Sequence, residues 1–311
     1  MTGTGRLRDA LADYLVLRRA LGYRLVRPET LLNQFLDQLQ HTDGSVVTVR
    51  AALSWARQSV HADPNWWAYR LSVVRGFAAY LHTLDPAHEV PTADLLPRRT
   101  RRATPYLYSG HDVAALVGAA GSLPTPLRRV TFATLFGLLA VTGMRVGEAI
   151  ALDCDDVDLN VGLLVVRHGK FNKARELVLH PSTRDALRRY LTDPTRIAVS
   201  PRCAALFVSN VGTRLLYRNV QRAFQQLVHL ASLPPRSGSC RPRIHDLRHS
   251  FAVRSMLDAY LAGQDGQTRL ALISTYLGHV HPTSTYWYLS ASPELMAVAG
   301  KRLETHLDGR P

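Results

Sequence analysis

The stretch Arg243-Ile244-His245-Asp246-Leu247-Arg248-His249-Ser250-Phe251-Ala252 sets an imidazole and a guanidinium three residues apart. On a helix, that spacing puts His245 and Arg248 on one side, while Leu247 and Phe251, four apart, fall on an apolar side that can pack. A guanidinium offers a planar fork of donors suited to phosphate oxygens, and imidazole exchanges a proton near neutral pH. The pairing points to chemistry on a phosphate. A solvated arginine and a structural histidine are the ordinary alternative for such a helix, so the deciding signals must come from elsewhere in the chain.

Two other places supply them. Thr142-Gly143-Met144-Arg145 interrupts a helical pattern that resumes from Val146 to Leu152. Arg145 is therefore expected at or near a helix N-terminus, where free N–H groups and the helix dipole already favour an anion. Glu148, three residues on, can orient that guanidinium by a hydrogen bond or be an ordinary first-turn acid. The second place is Gly169-Lys170-Phe171-Asn172-Lys173, flanked by the aliphatic runs Val161 to His168 and Ala174 to His180, which read as a β-hairpin. The chain has only three lysines, Lys170, Lys173 and Lys301, so two at one hairpin tip stand out. A lysine beside a phosphate can protonate a leaving oxygen; at a turn it is otherwise simply solvated.

The elements that must carry these groups are mainly α-helical with a small β-sheet. Apolar residues recur at helical spacing from Leu7 to Leu39, and further helical stretches run from Thr48 to Val60 and from Asn65 to Leu84, together a bundle of about four helices. Pro86, Pro91, Pro97 and the run Arg98-Arg99-Thr100-Arg101-Arg102 mark an exposed connection. The expected division is a helical domain over 1–96, a basic linker over 97–104 and a second domain over 105–311. The second domain is expected to hold helices from Ser109 to Ala120, Pro126 to Val141, Ser182 to Leu191, Tyr217 to Ala231, His245 to Ala262, Leu270 to Leu277, Thr283 to Leu289 and Glu294 to Leu307. A short strand is expected from Ala205 to Ser209, and the segment from Ala262 to Arg269 reads as a surface turn.

Lys and Arg number 38 against 24 Asp and Glu, a formal net charge of +14, which favours a polyanionic partner because basic side chains release the counterions condensed on phosphates. The excess is +1 over residues 1–96, +4 over 97–102 and +9 over 103–311, so the linker and second domain hold nearly all of it. Basic and aromatic residues mix at Trp67 and Arg70, Arg99, Arg101 and Arg102 line the connection, and Arg214, Arg218 and Arg222 recur every four residues as a stripe. With Lys173 these are the residues expected to face DNA. Cys154, Cys203 and Cys240 are widely spaced and read as reduced thiols rather than metal ligands. The N-terminus lacks the apolar core of a secretion signal, and the apolar run Val130 to Met144 is too short to span a bilayer. A soluble cytoplasmic protein at the bacterial nucleoid is expected, with no membrane partner.

The phrases V-T-G-M-R-V-G-E-A-I-A-L, H-G-K-F-N-K-A-R-E-L-V-L, R-I-H-D-L-R-H-S-F-A and L-G-H-V-H-P-T-S-T-Y-W-Y, in this order over residues 105–290, resemble the tyrosine recombinase family of phage-integrase-like enzymes. A tyrosine follows the Leu-Gly-His histidine by nine residues, as that family requires. The resemblance implies a SAM-like core-binding domain followed by an α+β catalytic domain. It selects Lys170 over Lys173 and Tyr288 over Tyr286, and implies a catalytic set of Arg145, Lys170, His245, Arg248, His279 and Tyr288, with Glu148 behind it. His281-Pro282 departs from the small polar-acidic pair of many relatives.

By that resemblance Tyr288 attacks a scissile phosphate and joins the 3′ phosphate, freeing a 5′ hydroxyl. Arg145 and Arg248 grip the non-bridging oxygens, Lys170 protonates the leaving oxygen, His245 assists proton transfer at Tyr288, and His279 hydrogen-bonds the phosphate. No metal and no cofactor is implied. His245 and His249 are four apart, but no helix glutamate accompanies them as in zinc proteases, and two arginines would repel a cation. The partners implied are double-stranded DNA, three further copies in a homo-tetramer assembled on it from monomers, and companion recombinases or accessory DNA-bending proteins. The expected function is a site-specific recombinase or integrase of a mobile element. The alternatives are a chromosome-dimer resolvase or relaxing topoisomerase of the same chemistry, and a catalytically silent DNA-binding subunit.

Overall fold

The computed structural model describes residues 3–42, 44–59, 62–96, 103–167, 174–199, 203–278 and 295–297, with residues 300 and 304. The chain divides into two compact units, 1–102 and 103–311.

In the first unit four helices, α1 (Gly3–Ala20), α2 (Val26–His41), α3 (Val49–Arg57) and α4 (Pro64–Leu84), form a bundle. The apolar spacing dictates the packing: Leu31, Phe35 and Leu39, with Leu32 and Leu36, form one buried face of α2. That face meets Trp55 of α3 and Val74, Phe77 and Ala78 of α4 in one core. Thr48 caps α3 by accepting from the Ala51 N–H at 3.1 Å, and Asp63 caps α4 by accepting from Asn65 at 2.7 Å, with Pro64 in the first turn.

The second unit begins with α5 (Gly110–Ala119), opened by a reciprocal cap between Ser109 and Asp112, and α6 (Pro126–Thr142). α7 (Val146–Ala151) follows, then a three-stranded antiparallel sheet in the order β1 (Val157–Asp158), β2 (Leu163–Val166), β3 (Arg175–Val178). The expected hairpin is thus present, with an added strand. Leu164 pairs with Leu177, and Val166 with Arg175. Helices α8 (Pro181–Leu191), α9 (Pro194–Ala198), α10 (Tyr217–Leu230), α11 (Ile244–Leu261) and α12 (Gly266–Leu277) follow, and the described residues after Gly278 are helical. The main core joins α5, α6, α10 and the sheet around Leu116, Phe136, Leu164, Leu177 and Phe224, while Met256, Ile273 and Leu277 form a smaller core between α11 and α12 with Leu295.

Three local expectations are corrected. The run from Ala205 to Ser209 is no strand but makes isolated bridges, Asp153 with Ala205 and Val208 with Arg214. Its neighbour turns into a 3-10 segment at Cys154–Asp156, which leaves no extended partner for a longer ladder. α9 was not expected. α12 starts at Gly266 rather than Leu270, because Asp265 accepts from Thr268 N–H at 2.8 Å and opens the helix within the segment read as a turn.

Candidate active site

Arg145 owes its place to a helix break. α6 ends at Gly143, whose φ of 60° is left-handed, and a Cβ there would stand 2.6 Å from the Phe251 ring, so glycine alone fits. Arg145 then caps α7. Its N–H donates to Glu148 Oε2 at 2.8 Å and its Nη1 to Oε1 at 2.7 Å. Arg145 thus stands at a helix N-terminus, as expected, and Glu148 holds its guanidinium. Because α7 spans only six residues, the attraction for an anion lies in the guanidinium rather than in the helix end.

Glu148 is 6% exposed and takes a second guanidinium, that of Arg175 on β3, with Nη1 to Oε1 at 3.2 Å and Nη2 to Oε2 at 2.7 Å. Burial would raise its pKa, but the hydrogen bonds from Arg175 and Arg145 prevail and bring it down to about 2. Glu148 is therefore a fixed anion between two cations. Arg175 was not anticipated. The signal is in the strand register: Arg175 lies opposite buried Val166, two residues from buried Leu177, and so on the core face, where a charge needs a partner.

Arg248, on α11, is 1% exposed. Nη1 donates to Gly143 O at 2.9 Å and Nη2 to Leu277 O at 2.6 Å. One buried guanidinium thus ties the turn before Arg145 to the last residue of α12, two positions before His279. The sequence offers an anion or solvent as the partner of this guanidinium; the structure adds two backbone carbonyls that it holds.

His245 lies one turn before Arg248 and keeps much of its surface in water. Dehydration of the ring and the charges of Arg248, Arg145 and Arg243 push its pKa down to about 4; since the residue remains exposed, the three guanidiniums are the firmer cause. The imidazole is neutral at pH 7 and able to accept a proton. The rings of His245 and His249 meet edge to face at 5.0 Å.

The start of α11 is strapped by the first residues of the second unit. Arg243 grips the fully buried Asp246 through Nε and Nη2, each at 2.8 Å. Tyr108 donates its N–H to Ser250 Oγ at 2.7 Å and its hydroxyl to Arg243 O at 3.2 Å, and the Tyr106 N–H donates to Asp246. These supports also escaped the sequence reading, although a carboxylate beside Leu247 on a packed helix is a signal for a buried partner.

The sequence model of the Phage integrase family matches residues 109–294. A protein of Sinorhizobium fredii named "Putative integrase/recombinase y4rB" is 41% identical over 309 residues, covering 97% of this chain and 98% of that protein. The chain belongs to the phage integrase family, the tyrosine recombinases. The tyrosine recombinase XerC of Azotobacter vinelandii is 32% identical over 218 residues, covering 70% of this chain and 67% of its own length. In fold, the chain resembles the Tn1549 transposon integrase in complex with transposon right end DNA, with a TM-score of 0.64 at 16% identity and coverage of 98% and 100%. It likewise resembles XerA recombinase, with a TM-score of 0.52 at 23% identity and coverage of 99% of each chain. The mainly helical architecture with a small sheet is that of the family.

Of the family residues read from the sequence, the structure brings together Arg145, Glu148, His245 and Arg248. Lys170, Lys173, His279, Tyr286 and Tyr288 lie outside the described residues, as do Arg99, Arg101 and Arg102. Two of the residues expected to face DNA are corrected. Arg70 is 6% exposed, with its guanidinium 3.9 Å over the Trp55 ring and Nη1 3.3 Å from Ser59 Oγ, so it packs the first unit's core. Arg214 precedes α10 and spends its fork on Ile150 O at 2.8 Å, Leu152 O at 3.0 Å and Asp153 at 2.5 Å, so it anchors the end of α7. Trp67 is half-buried and donates Nε1 to Ser59 O at 2.8 Å. Arg218 and Arg222 are exposed one turn apart on α10. Among the described residues no group of three or more His, Cys, Asp or Glu could hold a metal ion, and no helix is long and apolar enough to cross a membrane.

Proposed function

We propose that this tyrosine recombinase cleaves and rejoins DNA at specific sites through a 3′-phosphotyrosyl bond to Tyr288. The observation that carries the reading is the pair of cationic arms, Arg145 and Arg248, fixed around one turn with a neutral His245 beside them. Tyr288 Oη forms the new bond to phosphorus, the bond to the 5′ oxygen breaks, and that oxygen takes a proton from Lys170. The phenolic proton passes to His245, which is unprotonated at neutral pH. Arg145 and Arg248 stabilise the charge that crowds onto the non-bridging oxygens, with His279 as a further donor. Loss of one such donor costs on the order of 3 kcal/mol in the barrier, about a hundredfold in rate.

The bond to tyrosine stores the energy of the broken linkage, so a second 5′ hydroxyl reverses the step without ATP. One nucleophile per chain and four cleavages per exchange make four protomers on two duplexes the working assembly. The helical unit over 1–96 with Trp67, the arginines from Arg98 to Arg102, and Lys173, Arg218 and Arg222 follow the phosphate backbone. The likeness in fold to a transposon integrase, beside similarity along nearly the whole chain to a protein named putative integrase/recombinase, supports a mobile-element enzyme acting in the bacterial cytoplasm.

The test is incubation with a nicked suicide duplex in EDTA. An adduct that survives SDS and disappears in Tyr288→Phe supports the reading; binding without an adduct contradicts it. Affinity for non-cognate duplex is expected to fall steeply with salt, and neutralising Arg98 to Arg102 to flatten the slope.

A further inference from the structure

Arg175 is a charge on the core face of a strand, and its fork closes on Glu148 with two nitrogens on two oxygens. The same two oxygens hold the backbone and side chain of Arg145. The Arg175 side chain also lies across Gly278: a Cβ built on that glycine would stand 3.3 Å from Arg175 Nη1 and 3.6 Å from Cδ. Gly278, at a left-handed φ of 68°, ends α12 immediately before His279. One side chain therefore touches both the support of Arg145 and the turn from which His279 departs.

We propose that Arg175 is a positioning residue for DNA cleavage: it fixes the Glu148 carboxylate that holds Arg145 and braces the Gly278 turn, without itself contacting the phosphate. This rests on the recombinase reading above. Both terminal nitrogens of Arg175 are committed to the Glu148 carboxylate, whereas Arg145 gives that carboxylate one, Nη1, and Arg248 donates to neutral carbonyls. Lysine replaces it only in part, because a single ammonium keeps the charge but does not meet two carboxylate oxygens as a planar fork does.

The ionisable groups facing Glu148 are Arg145 at the cap, Arg175 from β3, and Asp156 and Arg167, which line a small cavity with it. Tyr276 of α12 lies within the field of Arg175. Without Arg175, Arg145 is the main group left to offset the burial of Glu148, and the carboxyl moves up towards the working pH range. A protonated Glu148 no longer offers two acceptor oxygens to Arg145, and cleavage becomes acid-sensitive.

The experiment measures single-turnover adduct formation on the nicked suicide duplex between about pH 5 and 8, with duplex affinity measured in parallel. The proteins are the full chain as wild type, Arg175→Gln, Arg175→Lys and the double variant Glu148→Gln/Arg175→Gln. Arg175→Gln is expected to bind duplex as wild type does, to cleave about a hundredfold more slowly at neutral pH, and to slow further as pH falls. The added acid sensitivity disappears in the double variant, the titration of His245 being common to all four proteins, and Arg175→Lys recovers only part of the rate. Wild-type rate and pH profile in Arg175→Gln would overturn the proposal while leaving the recombinase reading intact. A wild-type chain that forms no adduct overturns that reading and, with it, any role for Arg175 in cleavage. If Arg175→Gln does not fold, the Lys variant decides by the same two criteria.

Discussion

Glu148 and Asp246 are both buried carboxylates, each gripped by the two arms of a guanidinium, yet they titrate in opposite directions. Asp246 is shifted upward: burial outweighs its bonds from Arg243, whose side chain is 41% exposed and partly screened by water. Glu148 is brought down to about 2, because a second guanidinium is added and both of its partners are more buried. One half-solvated arginine does not repay the dehydration of a carboxylate; two enclosed ones do. The consequence is functional. The acid behind Arg145 stays an anion well below neutral pH, while the acid in the strap at the start of α11 is held less firmly in that form.

Removing the Glu148 charge is the strongest way to break this contrast. Glu148→Leu leaves two guanidiniums facing each other and is expected to lower the unfolding free energy by about 3 to 5 kcal/mol in a urea titration. An effect under about 1 kcal/mol would mean that Arg145 and Arg175 are already satisfied by water.

Acid unfolding sharpens the contrast through its sign. The folded pKa of Glu148, about 2, lies below its ordinary 4.5, so its stabilisation is present above about 4.5 and is lost as pH falls towards 2, on the order of 3 kcal/mol in all. His245, pushed down from 6.5 to about 4, acts in the same sense over that higher window. Asp246, raised above 3.8, acts oppositely, stabilising at acid pH and losing that contribution as pH climbs through the raised value. Stability curves of Glu148→Gln should therefore lose the limb below about pH 4.5, whereas those of Asp246→Asn should become steeper in acid. Equal flattening in both variants would deny the difference.

Smaller effects follow within the strap. Asp246→Asn keeps its shape and one acceptor for Arg243, and is expected to cost about 1 to 2 kcal/mol at neutral pH by urea unfolding. Tyr108→Phe loses the hydroxyl bond to Arg243 O and keeps the N–H bond to Ser250, at a cost of about 1 kcal/mol or less.

The sequence disclosed what is local. The helices follow apolar spacing, and Glu148 is tied to Arg145 because three residues separate them across a first turn. Long-range ties were not legible. Nothing in the residues around Arg248 announces that Gly143 and Leu277 will present it with carbonyls, since that depends on how α6, α11 and α12 converge. Arg175 could be read only by asking which face of β3 it occupies, a question that the lysines at the hairpin tip obscured. Arg70 misled for a related reason: a basic residue among aromatic ones fits a DNA surface and a buried cation–π pair equally well in sequence, and only the bundle shows which side faces inward.

The most direct test of the central claim is to digest the trapped protein–DNA adduct with protease and nuclease and sequence the modified peptide by mass spectrometry. The expected peptide carries a single nucleotide 3′ phosphate on Tyr288, and its yield collapses when Arg145 or Arg248 is replaced. A phosphate attached to another residue, or an adduct that forms equally well without those two arginines, would contradict the assignment of this site.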